Sequence, residues 1–258
     1  MLALDHRGSF KKYVNPDNPE SVSDNELIEL KGLIISSLED QFSGVLIDPE
    51  WGLPGYTHPR KPYLLCLEKT GYTDSAGERL TELEYSAAEL KAMGASGAKI
   101  LLYFNPFGSA CDQQLATAKK ALADSHQNGL PLFLEIVTYG ENKHSRQELV
   151  VESIKKFLAA DCVPDVFKLE YPGNKETCRV ITDLVGKTPW ILLTRGESFE
   201  VFENQLRDAV SAGAVGFLAG RALWQEIDQC HNFKERERFL ETVVKARFAK
   251  ISQIVLGE

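Results

Sequence analysis

Short runs of apolar residues recur along the whole chain and are the clearest pattern in the sequence. Each run is almost continuously hydrophobic, without strict alternation of apolar and polar residues. This is typical of parallel strands that are covered on both faces. The eight runs predict eight strands, at residues 2–5, 44–48, 62–67, 98–103, 131–136, 165–170, 189–193 and 215–219.

Most of the stretches between these runs have apolar residues at the spacing of amphipathic helices. The segment 23–42 opens with Ser23, which is a predicted helix N-cap. Further helices are predicted at 85–93, 110–127, 145–159, 174–186, 199–212 and 221–229, with a closing helix at 233–254. The exception is the segment 49–61, where glycine and proline residues argue against any helix.

Eight strands alternating with helices over 258 residues predict an α/β protein, a (β/α)8 TIM barrel in one domain spanning residues 1–258. The competing architecture is an open, doubly wound sheet. That fold would need a glycine-rich GxGxxG turn after the first strand, where this chain reads DHRGSF. Because the first strand begins at residue 2, we expect the bottom of the barrel to be covered by the C-terminal helix or by a partner subunit, as in a homo-oligomer.

Composition and charge exclude several classes of partner and cofactor. Asp and Glu (37) outnumber Lys and Arg (29), and the net charge of −8 argues against binding to nucleic acid or to an anionic membrane. No segment reaches the roughly 18 apolar residues of a membrane span, and the N-terminus lacks a signal peptide, so we expect a cytoplasmic protein. The five cysteines and five histidines are scattered, so the sequence predicts no disulfide framework, no metal site and no other cofactor.

Charged side chains interrupt the apolar runs at positions where burial without a partner is costly. They stand inside the runs or close to their ends, at Asp5, Arg7, Asp48, Glu50, Glu68, Lys99, Glu135, Lys168 and Glu170. In a barrel the catalytic groups lie at the carboxyl ends of the strands. These positions therefore predict a shared polar centre at one end of the barrel.

Lys168 is the most informative of these residues, because it stands in the middle of the run DVFKLEY. Burial, or a second ammonium such as Lys99 nearby, favours the neutral amine, which attacks carbonyl groups to form a Schiff base. The alternative is a structural lysine in an ion pair, or one that faces the helices. Two strand lysines together with Glu135 and Asp5 favour the chemical interpretation.

The other charged residues have structural interpretations as well. Lys99 stands at the start of its run, and such a lysine is more often on the surface. Glu135 ends the fifth run and is either a general acid or base or one half of a buried ion pair. Asp5 and Arg7 point the same way along the first strand and could satisfy each other. Arg7 and Glu170 are also predicted substrate contacts.

The loops after the seventh and eighth strands read TRGES and AGRALW. Barrels commonly bind phosphate there, because glycines let backbone N–H groups approach the oxygens and arginine offers two parallel donors. We therefore predict a phosphate site made by Gly196, Gly220 and Arg221, with Arg195 as a second cation. The alternative is a tight turn with a solvated arginine.

The segments that carry these residues resemble the class I aldolases of the tagatose-bisphosphate aldolase (DeoC/LacD) type, in the same order and over almost the whole chain. The matching segments are LALDHRGSF, AKILLYFNP, PLFLEIVTY, PDVFKLEYPG, PWILLTRGESFEVF and GFLAGRALW. The chain looks closest to the aldolase-like domain fused to the sugar kinase of inositol catabolism. The tagatose enzymes usually have Asp-Gln-Arg where this chain has Asp5, His6 and Arg7, and a small residue at the position of Arg195.

The resemblance implies a (β/α)8 barrel that cleaves a phosphorylated ketose without metal, through a Schiff base. It implies that Lys168 forms the Schiff base, that Glu135 and Lys99 assist in proton transfer and charge tuning, and that Asp5 holds or deprotonates a substrate hydroxyl. Glu135 is the first candidate for the base, and Asp5 is the second.

The partner of this site is then a small sugar phosphate bound by Gly196, Gly220 and Arg221. Tagatose or fructose bisphosphate, 2-deoxy-5-keto-gluconate 6-phosphate and a sulfonated ketose phosphate are all compatible with it. Two other functions stay open: a non-catalytic phosphosugar-binding barrel, and a phosphosugar isomerase or epimerase that uses Glu135 as its base and Lys99 as its electrophile.

Overall fold

The structure is a computed structural model that describes residues 1–257, and it contains all eight predicted strands. Two short strands that were not predicted form a separate antiparallel hairpin. In chain order the strands are β1 (Leu2–Leu4), β2 (Val45–Ile47), β3 (Tyr63–Cys66), β4 (Thr73–Ser75), β5 (Glu78–Leu80), β6 (Gly97–Phe104), β7 (Leu132–Thr138), β8 (Val166–Leu169), β9 (Trp190–Leu193) and β10 (Gly216–Leu218).

The eight strands other than β4 and β5 form one parallel sheet in the order β1-β2-β3-β6-β7-β8-β9-β10. The two edges of this sheet meet, because Leu2 bridges to Ala219 in parallel and the N–H of Ala3 donates to the carbonyl of Ala219 at 2.7 Å. The strands thus form a nearly closed barrel with helices between them. This confirms the predicted (β/α)8 TIM barrel over the open, doubly wound sheet.

Helices follow the strands around the outside of the barrel. They are α1 (Gly8–Val14), α2 (Asp24–Leu38), α3 (Gly52–Gly55), α4 (Ala87–Ala92), α5 (Cys111–Gln127), α6 (Arg146–Ala159), α7 (Lys175–Val185), α8 (Phe199–Ser211), α9 (Arg221–Trp224), α10 (Phe233–Phe239) and α11 (Lys245–Leu256). Short 3-10 turns occupy Pro19–Ser21 and Gln225–Gln229, and a π-helical turn at Leu240–Val244 joins α10 to α11.

Local capping explains why several helices begin where they do. The side chain of Ser23 accepts the N–H of Glu26 at the start of α2, which confirms the predicted N-cap. Ser86 at the start of α4 and Ser145 at the start of α6 each form a reciprocal capping box with the glutamate three residues later. Each cap satisfies N–H groups that have no partner inside the helix.

The prediction that residues 49–61 hold no helix is wrong, because one short turn, α3, forms there. The carboxylate of Asp48 accepts the N–H groups of Trp51 (2.7 Å) and Gly52 (3.2 Å) and so stabilises the start of this turn. This turn packs closely on α2: a Cβ on Gly32 would lie 2.8 Å from the carbonyl oxygen of Gly55, and a Cβ on Gly55 would lie 2.7 Å from that of Ile28. The helix α1 and the hairpin β4-β5 were not predicted either.

An apolar layer fills the interior of the barrel at its amino-terminal end, which we call the bottom. Its members are small and large apolar residues on inward positions of the strands, namely Ala3, Leu46, Leu64, Ile191 and Leu218, with Met1, Phe133 and Val166 packed against them. The C-terminal helix α11 lies beside this end, where Phe248 packs edge-on against Phe217 at 5.5 Å. The polar residues of the strands lie above this layer, at the carboxyl ends.

Two further properties concern the chain as a whole. All five cysteines are free, and four of them are buried. Within residues 1–257 there is no helix with the length and apolar character that crossing a bilayer requires.

Candidate active site

The carboxyl ends of the strands surround a cavity of about 440 Å³. Eight of the ten residues predicted for the site line this cavity: Asp5, Arg7, Lys99, Glu135, Lys168, Arg195, Gly220 and Arg221. The other two, Glu170 and Gly196, are in contact with arginines of the lining. The barrel therefore brings together side chains that are up to 216 residues apart in the sequence.

Lys168 points into the cavity because its two neighbours point the other way. Phe167 and Leu169 are buried in the layer between strands and helices, so the side-chain alternation of β8 turns Lys168 inward. Glu135 on β7 is its register partner, and Glu135 Oε2 lies 2.7 Å from Lys168 Nζ. The lysine is only 3% exposed, so the pair is nearly removed from solvent.

Lys99 lies at the centre of three carboxylates. Its Nζ is 2.7 Å from Asp5 Oδ2, 2.5 Å from Glu68 Oε1 and 3.1 Å from Glu135 Oε2. Burial alone would lower the pKa of Lys99, but the three carboxylates outweigh that effect and hold the pKa well above its ordinary value. The expectation that a lysine at a strand start lies on the surface is wrong here, because the register of β6 turns Lys99 inward.

The same ion pairs act on the carboxylates. Burial would raise the pKa of Asp5, but Lys99 and Lys168 outweigh burial and lower that pKa strongly. Burial also opposes ionisation of Glu135, and again the two lysines prevail and lower its pKa. Asp5 and Glu135 are therefore carboxylates at neutral pH.

Arg7 does not pair with Asp5, contrary to the expectation that the two satisfy each other. Its Nη1 donates to Glu50 at 3.1 Å and to Glu84 at 3.0 Å, and its Nη2 donates to the carbonyl of Glu68 at 2.6 Å. The partners of Arg7 come from other loops, and Asp5 is bound to Lys99. Arg7 thus lines the cavity as a cation that is already neutralised.

The loops after β9 and β10 present two arginines with free donors. Arg221 Nε is buried and, among residues 1–257, has no hydrogen-bond partner. Gly196, at a φ of +79°, packs on the guanidinium of Arg221, and a Cβ at that position would lie 3.2 Å from Arg221 Cζ. Arg195 Nη1 is also buried without a partner in the described part of the chain. Such donors can bind an anion.

Glu170, a predicted substrate contact, does not line the cavity and instead fixes Arg195. Glu170 Oε2 lies 2.8 Å from Arg195 Nε, and its other oxygen accepts the N–H of Thr138 at 3.0 Å. Arg195 Nη2 donates to the carbonyl of Thr138 at 3.0 Å and to Glu141 at 2.6 Å. Burial raises the pKa of Glu170, although Arg195 opposes this effect.

Glu68, Tyr103 and His6 also line the cavity, although they are not among the ten predicted site residues. Side-chain alternation could have identified the first two, since Glu68 continues the inward positions of β3 and Tyr103 those of β6. Alternation fails for His6, because the chain has left β1 at Leu4 and is turning into α1.

The carboxylates of the charged centre surround a lysine. Among residues 1–257, no three or more His, Cys, Asp or Glu side chains are grouped so that they could hold a metal ion. The carboxylates of Asp5, Glu68 and Glu135 converge on the ammonium of Lys99.

Comparison with known proteins identifies relatives over most of the chain. The family profile described as DeoC/LacD family aldolase matches residues 1–226. The tagatose 1,6-diphosphate aldolases of Staphylococcus epidermidis and Staphylococcus aureus are each 31% identical to this chain over 261 residues, covering 86% of this chain and 79% of the relative. An archaeal fructose 1,6-bisphosphate aldolase has the same fold, with a TM-score of 0.72 and 21% identity over 100% of this chain and 93% of the other.

Proposed function

This chain belongs to the DeoC/LacD family of aldolases, and from that premise we propose that it cleaves a phosphorylated ketose through a Schiff base on Lys168. The observation that carries this assignment is a contrast between two buried lysines. Lys99 is held by three carboxylates, whereas Lys168 is paired with Glu135 alone.

The contrast supports Lys168 over Lys99 as the nucleophile. A nucleophilic amine must lose its proton, and the raised pKa of Lys99 keeps that residue an ammonium. Lys168 has one acceptor at 2.7 Å, Glu135 Oε2, which is placed to take its proton. Lys99 therefore serves as a fixed positive charge beside the reaction, and Lys168 serves as the reacting amine.

During imine formation Glu135 first accepts a proton and later donates one. Lys168 Nζ attacks the ketone carbon after passing its proton to Glu135, and the carbonyl oxygen becomes the hydroxyl of a carbinolamine. Glu135 then returns a proton to that hydroxyl, which leaves as water, and a protonated imine remains. A single carboxyl group in contact with the amine can act in both directions.

The protonated imine withdraws the electron pair of the neighbouring carbon–carbon bond. A base takes the proton of the C4 hydroxyl, the C3–C4 bond breaks, and an aldehyde leaves an enamine on Lys168. Protonation at C3 and addition of water then release the second product and the amine. Glu135 is our first candidate for this base and Asp5 the second, because both are carboxylates at neutral pH.

The phosphate of the ketose binds at the loops after β9 and β10. Arg221 and Arg195 each keep a buried donor there, and Gly196 and Gly220 leave the space around Arg221 and above β1 free of side chains. Binding energy from this group fixes the ketone over Lys168, as is usual when a remote contact orients a reacting centre.

Trapping with borohydride tests the proposal directly. Wild-type protein is incubated with borohydride and each of tagatose 1,6-bisphosphate, fructose 1,6-bisphosphate and 2-deoxy-5-keto-gluconate 6-phosphate, with EDTA present. We expect a covalent adduct on Lys168 by peptide mass spectrometry and release of aldehyde without borohydride. Lys168→Ala should abolish both, whereas Lys155→Ala, the same change on an exposed helix position, should leave both intact.

The other outcomes identify the competing functions. Binding without trapping or turnover indicates a non-catalytic phosphosugar-binding barrel. Interconversion of ketose phosphates without aldehyde release indicates an isomerase or epimerase. Activity that is lost with EDTA but survives Lys168→Ala would overturn the proposal.

The cellular setting is part of the proposal and not of the structure. The net charge of −8 argues against nucleic acid as a partner, and we propose a cytoplasmic protein. The homo-oligomer and the closer likeness to the kinase-fused domain stay predictions.

A further inference from the structure

His6 is a residue of the cavity that the proposed mechanism does not use. It follows β1 and stands between Asp5 and Arg7 in the sequence. Its ring lines the same cavity as Lys168. The ring is held edge-on against Trp224, with centroids 5.3 Å apart and planes at 83°.

The position of the ring is fixed from two other sides. The carbonyl of His6 accepts Lys31 Nζ at 2.7 Å, which anchors the backbone of the residue. Across from the ring is Gly220, where a Cβ would lie 3.0 Å from His6 Cε1. The absence of a side chain at 220 thus makes room for the imidazole beside the proposed phosphate site.

The imidazole is incompletely hydrogen-bonded. Nδ1 is buried and, within residues 1–257, has no hydrogen-bond partner. Asp5 Oδ1 lies 4.0 Å from Nδ1, which is too far for a hydrogen bond. An unsatisfied buried polar group is costly, so a substrate group that hydrogen-bonds the ring would gain from meeting this atom.

The ring is also neutral. Burial, opposed by Asp5 and assisted by the nearby positive charges of Arg221, Lys31 and Lys168, lowers the pKa of His6 to about 3. A neutral imidazole carries one N–H donor and one acceptor. It therefore suits an uncharged hydroxyl better than a phosphate.

The 4.0 Å separation of Asp5 and His6 matches one oxygen atom between them. An oxygen placed to the side of the line that joins these two atoms can lie about 2.8 Å from each of them, within normal hydrogen-bond range. We propose that His6 and Asp5 together bind one hydroxyl of the ketose, with His6 donating its ring N–H and Asp5 accepting the hydroxyl proton. His6 is then a specificity-determining residue that recognises a hydroxylated substrate, a role that rests on the proposed function.

Two variants and two probes test this role. His6→Phe keeps a flat ring against Trp224 but has no N–H, and His6→Gln keeps an N–H donor without the ring. One probe is whichever of the three ketose phosphates of the trapping experiment the wild type cleaves fastest. The other probe is hydroxyacetone phosphate, which has the ketone and the phosphate but no free hydroxyl. The readouts are kcat/KM for the ketose and the rate of borohydride trapping for hydroxyacetone phosphate.

We expect His6→Phe to lower kcat/KM for the ketose by about 10- to 100-fold, the loss expected when a buried group loses its hydrogen-bond partner. The fall in the trapping rate with hydroxyacetone phosphate should be at least about tenfold smaller than the fall in kcat/KM for the ketose, since that probe does not make the contact. His6→Gln should recover part of the kcat/KM for the ketose that is lost in His6→Phe. Trapping also reports whether each variant is folded.

Equal losses on the two probes would assign His6 a merely structural role, and wild-type kcat/KM in His6→Phe would show that the ring N–H makes no substrate contact. Either result overturns this inference while leaving Lys168 as the Schiff-base lysine. Failure of the wild type to be trapped by any ketone would instead overturn the proposed function and this role with it.

Discussion

The two ends of the barrel interior are built from the same strands and differ completely in chemistry. On β7, Phe133 belongs to the apolar layer at the bottom, and Glu135, two residues later, lines the cavity. On β8, Val166 and Lys168 have the same relation. Because side chains two apart on a strand face the same way, depth along the strand is what separates the two environments.

This difference shows that residues at the bottom of the barrel contribute to stability, whereas residues at its mouth contribute to the chemistry. At the bottom, burial of apolar surface stabilises the closed ring of strands. At the mouth, the buried charges are stable only as a set, because each ammonium and carboxylate depends on its partners. A substitution at one end should therefore affect one property much more than the other.

Lys168→Met is the substitution with the largest expected effect, and it falls on turnover. Without the amine no imine forms, so we expect kcat for aldehyde release to fall by about 10,000-fold or more. The fold should persist, since Glu135 keeps Lys99 as a partner at 3.1 Å. Aldehyde release and thermal unfolding measure the two effects. Substantial residual turnover would show that the reaction does not pass through this amine.

Lys99→Met should lower the free energy of unfolding more than Lys168→Met does. It removes the ammonium that is paired with the carboxylate of Glu68 and leaves Asp5 without its closest ion pair. We expect a loss of about 3–5 kcal/mol in the free energy of unfolding, typical of removing one partner from a buried ion pair. Urea unfolding of both variants at one pH makes the comparison. Equal losses would contradict the assignment of Lys99 as the structural centre of the charged cluster.

Leu46→Ala tests the opposite end. Leu46 is fully buried in the bottom layer and does not line the cavity. We expect a loss of about 3 kcal/mol in the free energy of unfolding, within the usual range for a buried leucine truncated to alanine. At a temperature where the variant is folded, kcat should stay within about twofold of wild type. A large fall in kcat would show that the two ends are not independent.

The fold could be predicted from the sequence because each barrel strand has a local sequence signal. Continuous apolar runs mark strands covered on both faces, and the apolar neighbours Phe167 and Leu169 were enough to turn Lys168 inward. The hairpin β4-β5 has no such signal, since β4 is exposed and β5 only partly buried. A segment that buries little leaves little hydrophobic pattern to read.

The partners within the site could not be predicted in the same way. Alternation gives the direction of a side chain but not which residue from another strand meets it. The local sequence leaves Arg7 as a possible partner of Asp5, yet Asp5 contacts Lys99, 94 residues away. Arg7 finds Glu50 and Glu84 on other loops. Those contacts follow from barrel closure, a property of the whole chain.

Arg221→Lys has the smallest expected effect and tests the rim of the mouth. Lysine keeps the positive charge but not the planar guanidinium, whose Nε is buried without a partner in the described structure. We expect KM for the ketose phosphate to rise about tenfold, equivalent to about 1.4 kcal/mol, with kcat changed much less because the amine and its base are untouched. Arg179→Lys, at an exposed ion pair with Glu176, is the control and should leave both constants unchanged. A fall in kcat with KM constant would place Arg221 at the reacting carbons, and the division between a binding rim and a reacting centre would then have to be redrawn.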